Sequence, residues 1–553
     1  MTPPSTSPLD SLTVRRDLDY DWLVVGSGFG GSVSALRLAE KGYRVGLIEA
    51  GRRIGDDDMP RSTWDLKRYF WAPRLGMRGI FRLTLFRDVA VVSGAGLGGG
   101  SLGYANTLYR APDRFYRDPQ WAGIEDWERA LAPHYDTAER MLGVVTVEAD
   151  DPADQLLRAF GREVGADATY AKTRVGVYFG TPGETADDPF FGGDGPARTG
   201  CIACGRCMVG CPHNAKNSLP KNYLWLAERA GAAVTPDRTV VDIRPLGAPD
   251  GADGYAVTTE RTGAWLRRGR RVHTARGVVV AAGPLGTNRL LAQTKLSGSL
   301  PRLSHRLGEL VRTNSEAILA VTLPEGAEDM TKRVAISSSV YPDPDTHIET
   351  VTYGTAGDSI SSLFTLLVGD GSKLTRPVKL LGAMVRHPVR LARVTWPRGW
   401  SRRTVIVLVM QSLDNAIALR ATKRRFAGGV RLRTEQDPER PNPTFIPVAN
   451  EFAAWLAERT GGIAQSGLTE AVANIPTTAH ILGGAVIGAT SGQGVIDGRQ
   501  RVFGYENLLV CDGSAIPANV GVNPSLTITA LAEHAMSHIP AAGARREPAR
   551  AAA

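Results

Sequence analysis

Asp21-Trp22-Leu23-Val24-Val25-Gly26-Ser27-Gly28-Phe29-Gly30-Gly31 is the stretch that decides how this chain folds. Trp22 to Val25 is a short apolar run, bounded like a buried strand. The glycines follow at once. Ser32 to Lys41, rich in Ala and Leu, reads as a helix that ends at Gly42. A second strand, Arg44 to Ile48, runs into Glu49. Strand, Gly-x-Gly-x-x-Gly, helix, strand and acid is the order of a dinucleotide-binding unit. The candidate phosphate cradle is Gly26, Ser27, Gly28, Phe29 and Gly31. Gly26 permits the tight turn, Gly28 lets a pyrophosphate approach the backbone, and Gly31 lets the helix pack on the strand. The helix N-terminus faces the phosphates. Glu49 sits where a carboxylate holds the ribose hydroxyls. It would repel a 2′-phosphate, which disfavours NADP. The motif alone leaves FAD and NAD open.

Working outward, Val89 to Val92 leads into Gly94-Ala95-Gly96-Leu97-Gly98-Gly99-Gly100-Ser101. So many glycines mean that the backbone comes close to something flat or charged. Thr239 to Ile243, Tyr255 to Thr259 and Val272 to Ala275 read as a small antiparallel set. Gly277 to Val280 is an uncharged strand that runs on through Ala281 and Ala282 to Gly283, as a central strand entering a cofactor cleft does. Beyond it the pattern changes. Ala317 to Leu323, Arg333 to Val340, Thr346 to Tyr353, Thr404 to Met410, Ala416 to Arg420 and Gly429 to Arg433 read as strands, mostly without helices between them. That predicts a second domain on a mainly antiparallel sheet. Trp121 and Trp127 are expected in the core.

The fold class expected is therefore α/β: an FAD- or NAD-binding Rossmann-like domain with a second, substrate-binding domain. The first domain is discontinuous, over 19–145, 199–310 and 475–540. Residues 146–198 form a covering insertion, 311–474 the substrate domain, and 1–18 and 541–553 loose tails. The chain has 553 residues, is 43% hydrophobic and 22% charged, and carries a formal net charge of +9. This is an ordinary globular composition. No zinc-finger, RNP or basic-helix pattern supports nucleic-acid binding. Arg15-Arg16 is followed by acids, not by an apolar run, so no signal peptide is expected. No stretch is long and apolar enough to span a bilayer. A cytoplasmic location, free or at a membrane surface, is the expectation.

The matching pieces then carry a resemblance. Gly26 to Gly31 with Glu49, Gly94 to Ser101, Val278 to Gly283, Thr478-Ala479-His480 with Gly483-Gly484, Leu509 to Ser514, and Gly521 to Thr529 follow one another in a known order. The sequence resembles the glucose-methanol-choline (GMC) oxidoreductases, of the branch that includes cholesterol oxidases. The resemblance implies FAD as cofactor. It implies that Gly94, Gly96, Gly98, Gly99 and Ser101 line the flavin, with Tyr104 and Asn106 near the isoalloxazine. It sets Val241 near the adenine and Gly283, Asp512, Gly513, Asn523 and Pro524 beside the cofactor. His480 and Asn523 are implied as the catalytic pair. The implied reaction is oxidation of a secondary alcohol, on a sterol-like hydrophobic substrate, with O2 or another acceptor taking the electrons. A dehydrogenase of another alcohol or sugar, or a flavin electron-transfer module, stays open. The pairing of His480 with Asn523 argues against the last, since electron transfer needs neither.

Three further features are chemical. A steroid oxidase that also shifts a double bond needs a second base. His347 and Glu349 alternate onto one face of a strand, and Glu349 is the candidate. Cys201-x-x-Cys204-x-x-Cys207-x-x-x-Cys211-Pro212 has the spacing of a bacterial ferredoxin. An iron-sulfur cluster on these four and a set of buried or regulatory thiols both fit, and zinc fits less well because its ligands usually come in separated pairs. Finally, Lys373 to Arg403 holds nine Lys and Arg and no acid. At helical spacing Arg376, Lys379, Arg386, Arg390 and Arg393 share one face, and Val378, Leu381, Met384, Val385, Val389 and Leu391 the other, with a kink at Pro388 and Trp396 and Trp400 beyond. Docking on an anionic membrane and a merely solvated basic face are both consistent with this pattern.

Overall fold

The computed structural model describes residues 18–424 and 429–543. Its first sheet is built outward from strand Tyr20–Val25. That strand pairs in parallel with Val45–Ile48 on one side and with Arg271–Val280 on the other. Ala233–Thr235 extends the parallel side. The ten-residue strand Arg271–Val280 changes partners along its length. Its first half pairs antiparallel with Tyr255–Arg261, which pairs with Arg238–Pro245. Its second half pairs in parallel with Leu508–Val510, near the other end of the chain. One strand therefore stands where two were expected, Val272–Ala275 and Gly277–Val280, because the charged and apolar halves read as separate segments.

The parallel strands are apolar because helices cover them. Trp22, Leu23 and Val24 are buried, and the Trp22 ring lies so close to Gly277 that a Cβ there would stand 2.4 Å away. Helix Phe29–Glu40 packs against the C-terminal helix Ser525–Ser537. Arg37 on the first donates two bonds to Glu533 on the second, at 2.7 and 2.8 Å. Trp121 and Trp127 stack at 4.6 Å inside the same core.

The second sheet has seven strands, all antiparallel, in the order Phe364–Leu366, Ile463–Gly467, Ala317–Thr322, Thr404–Gln411, Thr346–Val351, Ile336–Asp343, Ala171–Lys172. One face carries Leu319, Val321, Ile348, Val405, Val407 and Val409. Helices Pro447–Thr460 and Pro152–Glu163 cover it with Phe452, Leu456, Leu157 and Phe160. The other face carries Ile406, Leu408, Met410 and Val351 and turns toward the first domain, where Ile80 and Leu102 meet it. Part of the segment 146–198 thus belongs to the second sheet, through its strand and its helix, rather than lying over the first. The strands Ile417–Lys423 and Val430–Gln436 form a separate hairpin.

Lys373 to Arg403 folds as two helices, Thr375–Arg386 and Pro388–Thr395, broken where Pro388 begins the second. Arg376 does not join the basic face. It is fully buried and bonded to Glu470, Asn474 and the Thr444 carbonyl. Trp400 is not a surface flank either. It is buried and stacked on Phe364. Both sides are otherwise open: Lys379, Arg386, Arg390 and Arg393 are exposed, and so are Val378, Leu381, Val385, Val389 and Trp396.

Candidate active site

The cofactor side of the site is made of main chain. A Cβ at Gly26 would stand 2.2 Å from the Ala281 carbonyl oxygen, at Gly31 2.0 Å from that of Gly26, and at Gly30 1.7 Å from that of Cys511. These glycines close the helix onto the sheet. At Gly28 an added Cβ would meet nothing within 4 Å. The turn thus leaves space where a phosphate needs it, at the start of helix Phe29–Glu40. The second glycine loop lies against the first: Gly99 approaches the Gly28 Cα, and Gly96 and Gly98 have φ of 106° and 105°. Ser27 fastens the two. Its hydroxyl donates to Glu49 at 2.7 Å and accepts from the Gly98 N–H at 2.9 Å. Glu49 also accepts from the Ser27 and Gly51 N–H groups, and its burial pushes its carboxyl up despite those bonds. Ser101 braces the loop, donating to Gly98 and accepting from the Leu219 N–H. Gly94 packs directly on Gly100.

Asp512 closes the far wall. One of its oxygens accepts from the Gly283 N–H and the Thr287 hydroxyl, the other from Ser514, and Gly513 accepts from the Gly483 N–H. Val241 is skipped at a bulge between Val240 and Asp242, which leaves it outside the pairing. Pro524 is the N-cap of helix Ser525–Ser537, whose first-turn N–H groups have no acceptor within the helix. Tyr104 is half-buried, edge-on to Phe29, and its hydroxyl donates to the Asn217 carbonyl. Asn106 adopts φ 69° and is fully buried, yet neither of its side-chain polar atoms has a partner. Buried polar groups are normally satisfied, so an orphan of this kind marks a ligand or water position.

The candidate catalytic side is made of polar side chains, buried at Glu316, Glu349 and Asn523 and half-buried at His480. His480 follows strand Thr477–Thr478, which pairs with Ala90–Gly94, the strand entering the second glycine loop. Its Nδ1 lies 2.5 Å from a Glu316 oxygen, while the other Glu316 oxygen accepts from the Ala479 N–H at 2.7 Å. A carboxylate there only accepts, so the proton stays on Nδ1 and Nε2 is left as the basic nitrogen. Asn523 donates to Glu349 at 3.4 Å. Its Oδ1 and the second Glu349 oxygen have no partner. Burial pushes Glu349 up to about 8, with the nearby Glu316 charge adding to it against the Asn523 bond. Glu316 and Glu349 are thus close enough for their charges to interact. His347 shares the Glu349 face but is stacked on Tyr341 and edge-on to Tyr109, and burial pushes it down to about 3. It is a neutral wall of the site.

Glu316 is a candidate site residue missing from the sequence reading. A second is Asn314, which accepts from the Gly521 N–H and donates to the Val522 carbonyl, so that the segment holding Glu316 also clamps the loop holding Asn523. Asn314 and Ser315 both have positive φ. The available signal was Arg312-Thr313-Asn314-Ser315-Glu316, five consecutive polar residues that are all buried. The four cysteines lie on one loop and line one cleft with Asn106 and Lys216. Among the described residues no three His, Cys, Asp or Glu side chains are placed around a single metal ion.

Comparison with known proteins agrees with this geometry. The GMC oxidoreductase C-terminal family matches residues 410–532, and an NAD(P)-binding Rossmann-like domain matches 24–57. A cholesterol oxidase of Mycobacterium tuberculosis (strain ATCC 25618 / H37Rv) is 50% identical over 544 residues, covering 96% of this chain and 93% of the relative. A cholesterol oxidase of Acinetobacter baumannii is 44% identical, covering 95% of each. Pyridoxine 4-oxidase from Mesorbium loti shares the fold at a TM-score of 0.60 and 14% identity, over 94% of this chain and 99% of that one. The class is thereby defined: the chain belongs to the GMC oxidoreductases and is an FAD-dependent alcohol oxidoreductase. Within that family it is most of a chain's length alike to proteins named cholesterol oxidase.

Proposed function

We propose that the substrate is a sterol and that its 3-hydroxyl is oxidised to a ketone. The observation that carries this is two polar pairs, Glu316–His480 and Glu349–Asn523, the second on the sheet face that also carries Ile406, Leu408, Met410 and Val351. The relatives' names supply the sterol and, through the word oxidase, O2 as acceptor. FAD, when bound by the glycine loops, Glu49 and Asp512, supplies the hydride acceptor. Glu316 holds the Nδ1 proton of His480, and Nε2 takes the proton of the hydroxyl. Asn523 offers an N–H to the substrate oxygen without adding charge. Glu349 is the second base, for a proton shift that moves a double bond after oxidation. The test is anaerobic mixing with sterols, simple alcohols and sugars while the flavin absorbance is followed. Sterols should bleach it fastest. Bleaching by sugars but not by sterols would overturn the assignment.

A second reading concerns where the sterol is met. No helix among the described residues is long and apolar enough to cross a membrane. The helix pair 375–395 nonetheless presents Leu381, Val385 (75% exposed), Val389 and Trp396 to solvent, flanked by exposed Lys379, Arg386, Arg390 and Arg393. An apolar stripe rimmed with cations suits an anionic bilayer surface. Val385→Asp with Val389→Asp should abolish sedimentation with anionic liposomes and leave turnover of detergent-dispersed substrate unchanged. Unchanged sedimentation would remove this reading.

A further inference from the structure

The loop that holds Cys201, Cys204, Cys207 and Cys211 has almost no regular structure, only the short turn Cys207–Val209. Its backbone is instead bent by positive φ at Ala203, Gly205 and Gly210. That bending turns amides toward sulfur, and the Ala203 N–H donates to the Cys201 Sγ at 3.4 Å. Cys211 lines the same cleft as the other three. In a two-cluster ferredoxin the fourth cysteine of such a run serves a different cluster. Here one cleft takes all four.

Around this cleft the protein has gathered positive charge. Lys216 is buried, and its ammonium is held by the carbonyls of Leu102, Tyr104 and Cys207 at 3.0, 2.7 and 2.9 Å. Arg198 is buried beside it and bonds to Asn214, Asn217 and the Lys216 carbonyl. All of these acceptors are neutral. Among the described residues no carboxylate stands within ion-pair distance of either cation. Arg333 is 4% exposed and lines the cleft with Nε and Nη2 lacking any partner, while its Nη1 is bonded to Ser337 and Thr350 and paired with the carboxylates of Asp151 and Asp154 at 3.5 and 3.9 Å. Buried cations without a counter-charge are strongly disfavoured. An anion in the cleft would balance Lys216 and Arg198.

We infer that this cleft takes an iron-sulfur cubane through Cys201, Cys204, Cys207 and Cys211. A cubane on four thiolates is a net anion, which matches the cations around it. Each of its irons takes one thiolate, so its sulfurs stand farther apart than those around a single ion. The lack of a single-ion arrangement therefore counts against zinc and leaves the cubane open. On ligation each thiol releases its proton to solvent as its sulfur bonds one iron, and no electron is exchanged. The cleft encloses about 20 Å³ as it stands, so the loop must part to admit the cluster. Lys216 links Cys207 to Leu102 and Tyr104, so the cluster would adjoin the segment that follows the second glycine loop.

The test is full-length protein produced without oxygen, with added iron, and reconstituted with iron and sulfide. Iron, acid-labile sulfide and FAD are measured on the same sample. About four irons and four sulfides per chain are expected, with a paramagnetic signal on dithionite reduction. Cys204→Ala should lose iron and sulfide and keep FAD. FAD-replete protein without iron, protein that takes zinc instead, or iron unaffected by Cys204→Ala would overturn the inference. Should Cys204→Ala not fold, the metal content and signal of the unaltered protein decide. Sterol oxidation is scored separately, so failure of one reading does not touch the other.

Discussion

The two sides of this active site are built from different material. Toward the cofactor, contacts are main chain on main chain: Gly30 against Cys511, Gly31 against Gly26, Gly99 against Gly28. Toward the substrate they are buried carboxylates, an amide and an imidazole, drawn from Glu316, Glu349, His480 and Asn523. The first side recognises by shape and, at Gly26, Gly30 and Gly31, has no room for a side chain. The second works by charge and protonation and tolerates changes of shape better than changes of chemistry. Substitutions should therefore fail differently on the two sides.

The largest effect should come from Gly30→Val. Its Cβ would fall inside the Cys511 carbonyl, backbone against backbone, so helix and sheet cannot close. No folded, yellow protein is expected. Gly28→Ala has open space, so it should fold and melt cooperatively yet retain less FAD, as measured by flavin released on denaturation. Equal loss of folding in both would break the contrast.

Next is His480→Ala, which should keep FAD and slow flavin reduction by about a hundredfold or more in stopped flow. Glu316→Gln, acting through His480, should lower kcat with KM little changed, by roughly tenfold. A variant that lost FAD instead would place these residues on the structural side.

Glu349→Gln should leave alcohol oxidation intact and reduce double-bond migration among the products. Burial raises this carboxyl to about 8, so the proton-accepting form appears only as pH rises through that value. Migration should therefore increase with pH across about 7 to 9, followed by chromatography of the products. A profile that falls over this range would exclude Glu349 as the base.

The smallest effect is expected for Ser27→Ala. It removes one bond to Glu49 and one from Gly98. About 1 kcal/mol of FAD binding, or roughly fivefold in Kd, should be lost, read by titrating apoprotein with FAD.

The cofactor side was legible in the sequence because glycine has no substitute where backbones touch. Gly26, Gly31 and Gly94 were readable for that reason, and Gly28 because its open side is where a phosphate approaches the backbone. His480 and Asn523 came from the order of short motifs. Glu349 followed from strand alternation, which says which residues share a face. Glu316 was not legible, because its role depends on a partner 164 residues away and on a non-helical, non-strand segment. Arg376 shows the same limit from the other direction. Helical spacing grouped it with its basic neighbours, but spacing does not say which face is covered, and Glu470 drew it inside. Trp400 joined the core through Phe364, equally out of reach of periodicity.

Strand Arg271–Val280 has a consequence for how the molecule is made. Its parallel partner Leu508–Val510 is synthesised more than two hundred residues later. Until that partner emerges from the ribosome, the Val278 to Val280 edge stays uncovered and the wall formed by Asp512 is absent. The nascent chain therefore holds an apolar strand edge open through the whole synthesis of the second domain, the period in which a chaperone has the most to protect.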